Sequence, residues 1–361
     1  MRREKKKILL VDLGASMGGV EGYLEGLATI LHPSADLFAI CTLEVLAGRL
    51  ERCGVRVIRI PRFSRIRILR FITAFLLLPW VVIRHQIQVV QINGFLESIL
   101  LVPARILHCE TIYTRHGPFE TELFKWYRHP AKFTPRILSR YFAHLASRLV
   151  CVSETVGALY NPIFPFGRVT VIPNWVTHLP EYKIRSTDTT RRTRIIYVGR
   201  LERYKGLHLL LDAIRDIPDV SLTVVGEGKY RPALEELATD LDVEFVGFQS
   251  DPTPYYEAAD IFVMPSLGPE GLPLVALEAM SHALPCLFSD LPVHSEITEN
   301  GRAAMLFRSG DVEDLRRNLV TLIESSSRRA AYSEQAYRTI KSKYHVSVAR
   351  QAYLQLFEVG I

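Results

Sequence analysis

Two glutamates, Glu270 and Glu278, stand eight positions apart at the edges of an oily segment, GPEGLPLVALEAM, residues 268–280. Two carboxylates can serve as acid and base on one glycosidic bond when about 5–9.5 Å apart. Eight residues of helix span about 12 Å, so the spacing favours separate contacts on an extended ligand. Pro273 suits the first turn of a helix, where its missing N–H costs little, and Leu274–Met280 continues as a good helix former. Gly271 lets backbone approach a ligand closely. Glu270 then lies on a loop before a helix start, whose free N–H groups and partial positive charge suit a phosphate. Taken alone, the pair reads equally as one solvated and one capping glutamate.

Other segments add to it. Ile196–Gly206, IYVGRLERYKG, puts Gly199, Arg200 and Lys205 just after an apolar run. An arginine fork and a mobile lysine at a strand end can clamp a diphosphate; alone they are two surface cations. Gly14–Glu21, GASMGGVE, gives a glycine turn between strand and helix. It does not match Gly-x-Gly-x-x-Gly, so a nicotinamide cofactor is unsupported. His116, in YTRHG, follows an apolar strand and would point into the same site, although a lone histidine is more often structural. No His/Cys group has zinc-ligand spacing. The five cysteines, Cys41, Cys53, Cys109, Cys151 and Cys286, are scattered and read as reduced thiols. Asp240-Leu-Asp242 has the look of a metal-binding Asp-x-Asp, but between a helix and a short strand it reads as a polar turn.

These residues need elements to hold them. Short apolar runs such as IIYV and LTVV recur, as in strands covered on both faces of a parallel sheet. The first half predicts strands at Lys7–Val11, Leu37–Thr42, Arg56–Ile60, Val89–Ile92, Thr111–Thr114 and Leu149–Val152. The second predicts Arg194–Val198, Ser221–Val225, Glu244–Val246, Ile261–Met264 and Cys286–Phe288. Helical stretches such as Leu207–Arg215 and Arg231–Leu241 alternate with them. The class is α/β: two Rossmann-like doubly wound domains facing across a cleft, with ligands at the strand carboxyl ends. The polar stretch after Thr177 reads as a linker. The division is 1–177, a linker at 178–192, a second domain at 193–340, and a last segment, 341–361, whose helix at Ser347–Glu358 packs back on the first domain.

At 361 residues, 48% hydrophobic and 23% charged, the chain is an ordinary globular protein of roughly two domains. Residues 1–177 hold 23 Lys and Arg against 12 Asp and Glu, and the remainder 21 against 26. Arg62, Arg65, Arg67 and Arg70 directly precede the longest oily run, Phe71–Ile83, which contains Pro79. A spanning helix needs about 20 apolar residues, so this run reads as a core helix or an interfacial one. The basic cluster beside it suits an anionic membrane surface. No nucleic-acid motif accompanies the basic half. The opening apolar run is too short for a signal peptide, which with the reduced thiols implies a cytoplasmic location, and the basic first half suggests a peripheral place on the inner membrane face.

In their order along the chain, these segments resemble the retaining nucleotide-sugar glycosyltransferases of family 4, which have the GT-B fold. Glu270 and Glu278 match the family's Glu-x7-Glu signature. Gly199, Arg200, Leu201, Lys205 and Gly206 match its Gly-Arg-Leu…Lys-Gly segment, and Gly18–Glu21 its Gly-Gly-x-Glu loop. Val171–Asn174, Val152–Glu154, Val225–Gly228 and Val246–Phe248 are further landmarks in the right order. The resemblance implies transfer of a sugar, without metal or other cofactor, from a nucleotide-diphosphate sugar to a saccharide or lipid-linked acceptor in cell-surface glycan synthesis. It implies that Arg200 and Lys205 hold the diphosphate and that Glu278 reads the ribose. Glu270, with the amides around Gly271–Leu274, would contact the transferred sugar. The Gly19 N–H would approach the phosphate, and His116 would sit near the reacting centre. Glu270 and His116 are thus the catalytic candidates. The first domain would bind acceptor and the second donor. The chain departs from the family at Ser289–Glu296, SDLPVHSE, where a Gly-Gly often stands, which leaves donor preference open. A nucleotide-sugar epimerase of the same architecture and a non-catalytic nucleotide-sugar scaffold are the alternatives.

Overall fold

Nearly every apolar run forms a parallel strand. The computed structural model describes residues 5–14, 18–60, 67–94, 96–117, 141–165, 167–183, 191–268 and 270–359. The chain divides into two units, Met1–Asn174 with Ser347–Ile361, and Trp175–Val346.

The first unit holds β1 (Lys6–Asp12), β2 (Ala35–Cys41), β3 (Arg56–Arg59), β4 (Val89–Ile92), β5 (Glu110–Arg115), β6 (Arg148–Cys151) and β7 (Val169–Val171). They form one sheet in the order β3-β2-β1-β4-β5-β6-β7, parallel throughout. The second unit holds β8 (Thr193–Val198), β9 (Val220–Val225), β10 (Val243–Gly247), β11 (Ile261–Met264), β12 (Cys286–Ser289) and β13 (Met305–Phe307). Its order, β10-β9-β8-β11-β12-β13, repeats the same winding, again all parallel. In each sheet the order reverses beside the first strand, between β1 and β4 and between β8 and β11. Ligands of open α/β sheets bind outside the carboxyl ends of strands at that point.

The winding follows from two-sided burial. In β1, Leu9 and Val11 join one core with Phe38, Ile40, Val90 and Ile92, while Ile8 and Leu10 point to the other face. Each buried aliphatic side chain contributes roughly 1.5–3 kcal/mol. In the second unit Ile195, Tyr197, Leu222, Val224, Ile261 and Val263 form the equivalent layer with Leu207, Leu210 and Leu211 of the Leu207–Ile214 helix.

Several boundaries differ from the sequence expectation. The three-residue edge strands β7 and β13 carry too short a pattern to stand out. The Arg231 helix ends at Leu237 rather than Leu241, because the Thr239 hydroxyl takes the Glu236 carbonyl at 2.8 Å and Arg215 takes that of Leu237 at 3.0 Å. Val176 bridges His345, with Val176 N donating to Tyr344 O at 2.8 Å. This pairing ties residues 175–177 and 341–346 to the second unit, so the units divide after Asn174 and Val346 instead of at 177 and 340. Of the expected linker, residues 184–190 lie outside the described residues. The last helix is Val346–Leu356, with Tyr353 buried and Val348 exposed.

The oily run lies within a 19-residue helix, Arg67–His85, which includes Pro79. Ala74, Leu78 and Val81 are fully buried in the first unit's core, whereas Leu76 is 70% exposed. Among the described residues, no helix is long and apolar enough to cross a membrane. Leu78→Ala is expected to cost about 2–5 kcal/mol by leaving a cavity. Leu76→Ala should stay within about 0.5 kcal/mol of wild type. Thermal unfolding of the two variants side by side checks this; equal losses would contradict it.

Candidate functional site

In the second unit, the loops after β8 and β11 are fastened to each other by backbone. Leu267 N donates to Tyr204 O at 2.7 Å, and Gly268 N does so at 3.2 Å. Glycine permits the approach. Gly206 adopts φ +73°, and a Cβ there would lie 1.9 Å from the Pro265 carbonyl oxygen. A Cβ on Gly268 would meet the Tyr204 ring at 3.0 Å.

This docking sets Lys205 against Glu270. Lys205 Nζ donates to both carboxylate oxygens, at 2.7 and 2.9 Å. The two side chains are only 12% and 9% exposed. Ser266 Oγ donates to Glu270 Oε1 at 2.8 Å, and Ser289 Oγ, at the end of β12, donates to Ser266 O at 2.7 Å. Buried His294 directs Nδ1 at Ser289 O, 2.8 Å away. A carbonyl only accepts, so Nδ1 carries the proton. Burial alone would raise the Glu270 pKa. The Lys205 charge and its hydrogen bonds outweigh that, with smaller contributions from His294 and Ser266, and hold the carboxyl below its usual range.

Arg200 is exposed, and its guanidinium donates to the Tyr204 hydroxyl at 2.7 Å. Lys205 Nζ lies 5.4 Å from the centre of the Tyr204 ring. Tyr204 therefore links the two cations that the sequence singled out. Gly271 precedes the Leu274–Ser281 helix, and Pro273 is its N-cap, with ψ 117°, rather than its first helical residue. The Pro273 carbonyl accepts the first helical bond, from Ala276 N at 3.1 Å, which its extended backbone allows. Glu278, half-buried on that helix, accepts from the Tyr256 hydroxyl at 3.1 Å through Oε2. Among the described residues its Oε1 has no hydrogen-bond partner. Burial raises its pKa, with Asp251 adding to the rise and Tyr256 opposing it. Glu270 and Glu278 thus have separate partners and opposite electrostatic settings.

Asp240 and Asp242 are each held by an arginine, Arg215 and Arg192. The Arg215 hydrogen bond lowers the Asp240 pKa. Among the described residues no group of three His, Cys, Asp or Glu could hold a metal ion.

In the first unit, Gly19 opens the Gly19–Leu31 helix after an extended Gly18. One turn on, the Tyr23 ring meets the His116 ring edge-on, with centroids 4.6 Å apart. The Tyr23 hydroxyl lies 3.0 Å from that of Tyr353 and accepts from Gln91 Nε2 at 3.0 Å. Gln91 Nε2 also reaches Asn93 Oδ1, which lies 3.4 Å from His116 Nε2. A buried polar network thus holds the histidine. Burial first, then Arg115, press its pKa down to about 3, so the ring is neutral near neutral pH. At the end of β1, buried Asp12 is pushed up to about 7 by burial and by the Glu21 and Glu97 carboxylates.

The structure therefore joins Lys205 to Glu270 directly and Arg200 to Lys205 through Tyr204. Gly271 and Leu274 lie at the adjoining helix start, and Glu278 stands apart on Tyr256. Gly19 and His116 share the Tyr23 neighbourhood of the first unit. Sequence reading missed Tyr204, Tyr256, Ser266, Ser289 and His294. Ser266 follows β11 and Ser289 ends β12, the first and second strands beyond the switch point, a signal that strand order supplies once it is known.

Residues 17–178 match the family described as Glycosyltransferase Family 4, and residues 192–325 match Glycosyl transferases group 1. The fold is GT-B: the Anabaena protein Alr3699/HepE, solved in complex with UDP and glucose, superposes with a TM-score of 0.83 over 98% of this chain and 99% of that one, at 20% identity. Each half of the chain is thus similar to a glycosyltransferase family, and the fold is GT-B. It is 31% identical over 166 residues to the lipopolysaccharide core biosynthesis glycosyltransferase LpsE of Rhizobium meliloti, covering 45% of this chain and about half, 48%, of that protein. It is 25% identical over 351 residues to an Escherichia coli UDP-Gal:alpha-D-GlcNAc-diphosphoundecaprenol alpha-1,3-galactosyltransferase, covering 89% of this chain and 88% of that one.

Removing one partner of a buried ion pair leaves an uncompensated charge and costs about 3–5 kcal/mol. Lys205→Met should therefore lower the thermal midpoint strongly, and Lys205→Met with Glu270→Gln should recover most of the loss. Equal losses in the single and double variants would contradict the pairing.

Proposed function

We propose that the chain is a retaining, metal-independent glycosyltransferase that moves a sugar from a nucleotide-diphosphate sugar to a saccharide or lipid-linked acceptor at the inner membrane face, in cell-surface glycan synthesis. The observation that carries this reading is the buried Lys205–Glu270 pair at the switch point of the second sheet. The names of the relatives, lipopolysaccharide core and diphosphoundecaprenol glycosyltransferases, supply the class of acceptor. A UDP-sugar is the first donor to test, since UDP is the nucleotide bound by the Anabaena protein and named for the E. coli one.

Each residue has a task in this reading. Lys205 and Arg200 bind the donor diphosphate, and Lys205 exchanges part of its bond with Glu270 for a phosphate oxygen. Glu270, freed on one oxygen, accepts from a hydroxyl of the transferred sugar. The amides around Gly271–Leu274 add donors at the helix start. Glu278 Oε1 accepts from the ribose hydroxyls while Tyr256 holds Oε2. In the first unit, the amide of Gly19 offers a donor to an anion, and neutral His116 offers hydrogen bonds without adding charge. The acceptor oxygen bonds to the anomeric carbon as the bond to the diphosphate breaks, and the acceptor proton passes to the leaving phosphate. Fixed cations and N–H groups stabilise the charge that develops there, the task a metal performs elsewhere. Retention is the outcome the family resemblance implies. Glu270, held by Lys205 and Ser266, is dressed as a sugar-binding group rather than a free nucleophile.

Glu270→Gln keeps the shape and removes the charge. Turnover of labelled UDP-sugar onto a lipid-linked acceptor should fall roughly 100-fold or more. Affinity for free nucleotide, measured by titration, should change less than about threefold, since the nucleotide lacks the sugar. Equal losses in both would contradict the assignment. Sugar altered without any acceptor would instead favour the epimerase reading.

A further inference from the structure

The Arg67–His85 helix is apolar on two opposite faces, and only one of them is covered. Ala74, Leu78, Val81 and Val82 enter the core at 0–5% exposure. On the other side Leu69, Ile72, Leu76, Trp80 and Ile83 are 41%, 49%, 70%, 56% and 67% exposed. Their spacing, three and four residues apart, makes a single stripe along the helix. A surface helix ordinarily turns polar groups outward, and a contiguous exposed apolar stripe marks an interaction surface.

Charge selects the partner. Residues 60–96 contain five arginines and no Asp or Glu. Arg67 opens the helix and Arg84 stands at its tail; Arg62 and Arg65, earlier in the sequence, lie outside the described residues. Arg84 is exposed. A second copy docked stripe to stripe would bring two such arginine sets together, which a two-fold interface punishes. An anionic lipid surface complements both the charge and the oil, and Trp80 is of the residue type that settles at the headgroup boundary. With its opposite face in the core, the helix lies along such a surface rather than through it.

We infer that the solvent face of this helix, carrying Leu76, Trp80 and Ile83 between arginines at both ends, docks the chain on an anionic membrane leaflet. The inference rests on the membrane-face acceptor proposed above, yet the two fail separately, because vesicle binding needs no turnover.

The test is co-sedimentation of the full chain with vesicles of phosphatidylcholine, with and without phosphatidylglycerol, at low and high salt. Wild type should pellet with the anionic vesicles at low salt and stay in solution with the neutral ones. Leu76→Gln with Ile83→Gln should bind at least about tenfold more weakly, since both side chains leave the acyl boundary. The pair is exposed, so its thermal midpoint and its turnover on a soluble acceptor should match wild type. Wild type that ignores anionic vesicles, or a double variant that binds them as tightly, would overturn the inference. So would concentration-dependent self-association of wild type that the double variant loses, which would give the stripe to a second copy.

Discussion

The second unit depends on one contact between loops. The chain segment after β8 and the one after β11 approach within backbone hydrogen-bonding distance, and that approach creates a place where a lysine and a glutamate meet largely out of water. Without Gly206 in its left-handed conformation the Pro265 carbonyl would be blocked. With it, Lys205 and Glu270, 65 residues apart in sequence, share two short hydrogen bonds. An ion pair this buried is a poor choice for stability alone, because desolvation consumes much of its attraction. It suits the proposed donor site, in which an incoming phosphate would find a lysine already in place and a sugar hydroxyl a carboxylate still ionised.

The fold supplies the location. Both sheets use the same winding, and both switch points carry the glycine-rich or cation-bearing loops. The first unit treats its candidate differently. His116 is held by Tyr23, Asn93 and the network behind them, and kept neutral by burial. The C-terminal helix takes part, since Tyr353 reaches the Tyr23 hydroxyl. That helix thereby helps to hold His116, which lies in the first third of the chain.

Much of this was legible in the sequence, for particular reasons. The fully buried strands announce themselves as continuous apolar runs, and the wound α/β class follows from their alternation with helices. Lys205 and Glu270 were legible because each stands beside a glycine, just beyond an apolar strand. Their bond to each other was not, because pairing across 65 residues depends on strand order, which no local pattern encodes. Tyr256 escaped for the same reason: it is an ordinary tyrosine until the fold brings it to Glu278. The edge strands β7 and β13 are three residues each, too short for a period to show. The oily run gave two readings, core helix and interfacial helix. The structure shows why they could not be separated: one face of the same helix is buried, and the other is open to solvent.

The central claim is that Lys205 leaves part of its bond with Glu270 to hold the donor diphosphate. Calorimetric titration of UDP, GDP and ADP into wild type and Lys205→Met tests it most directly. The account predicts that one of these nucleotides binds wild type, and that its affinity falls at least about tenfold in the variant, the loss expected for one charge-assisted hydrogen bond. Undiminished affinity in a variant that remains folded would contradict it.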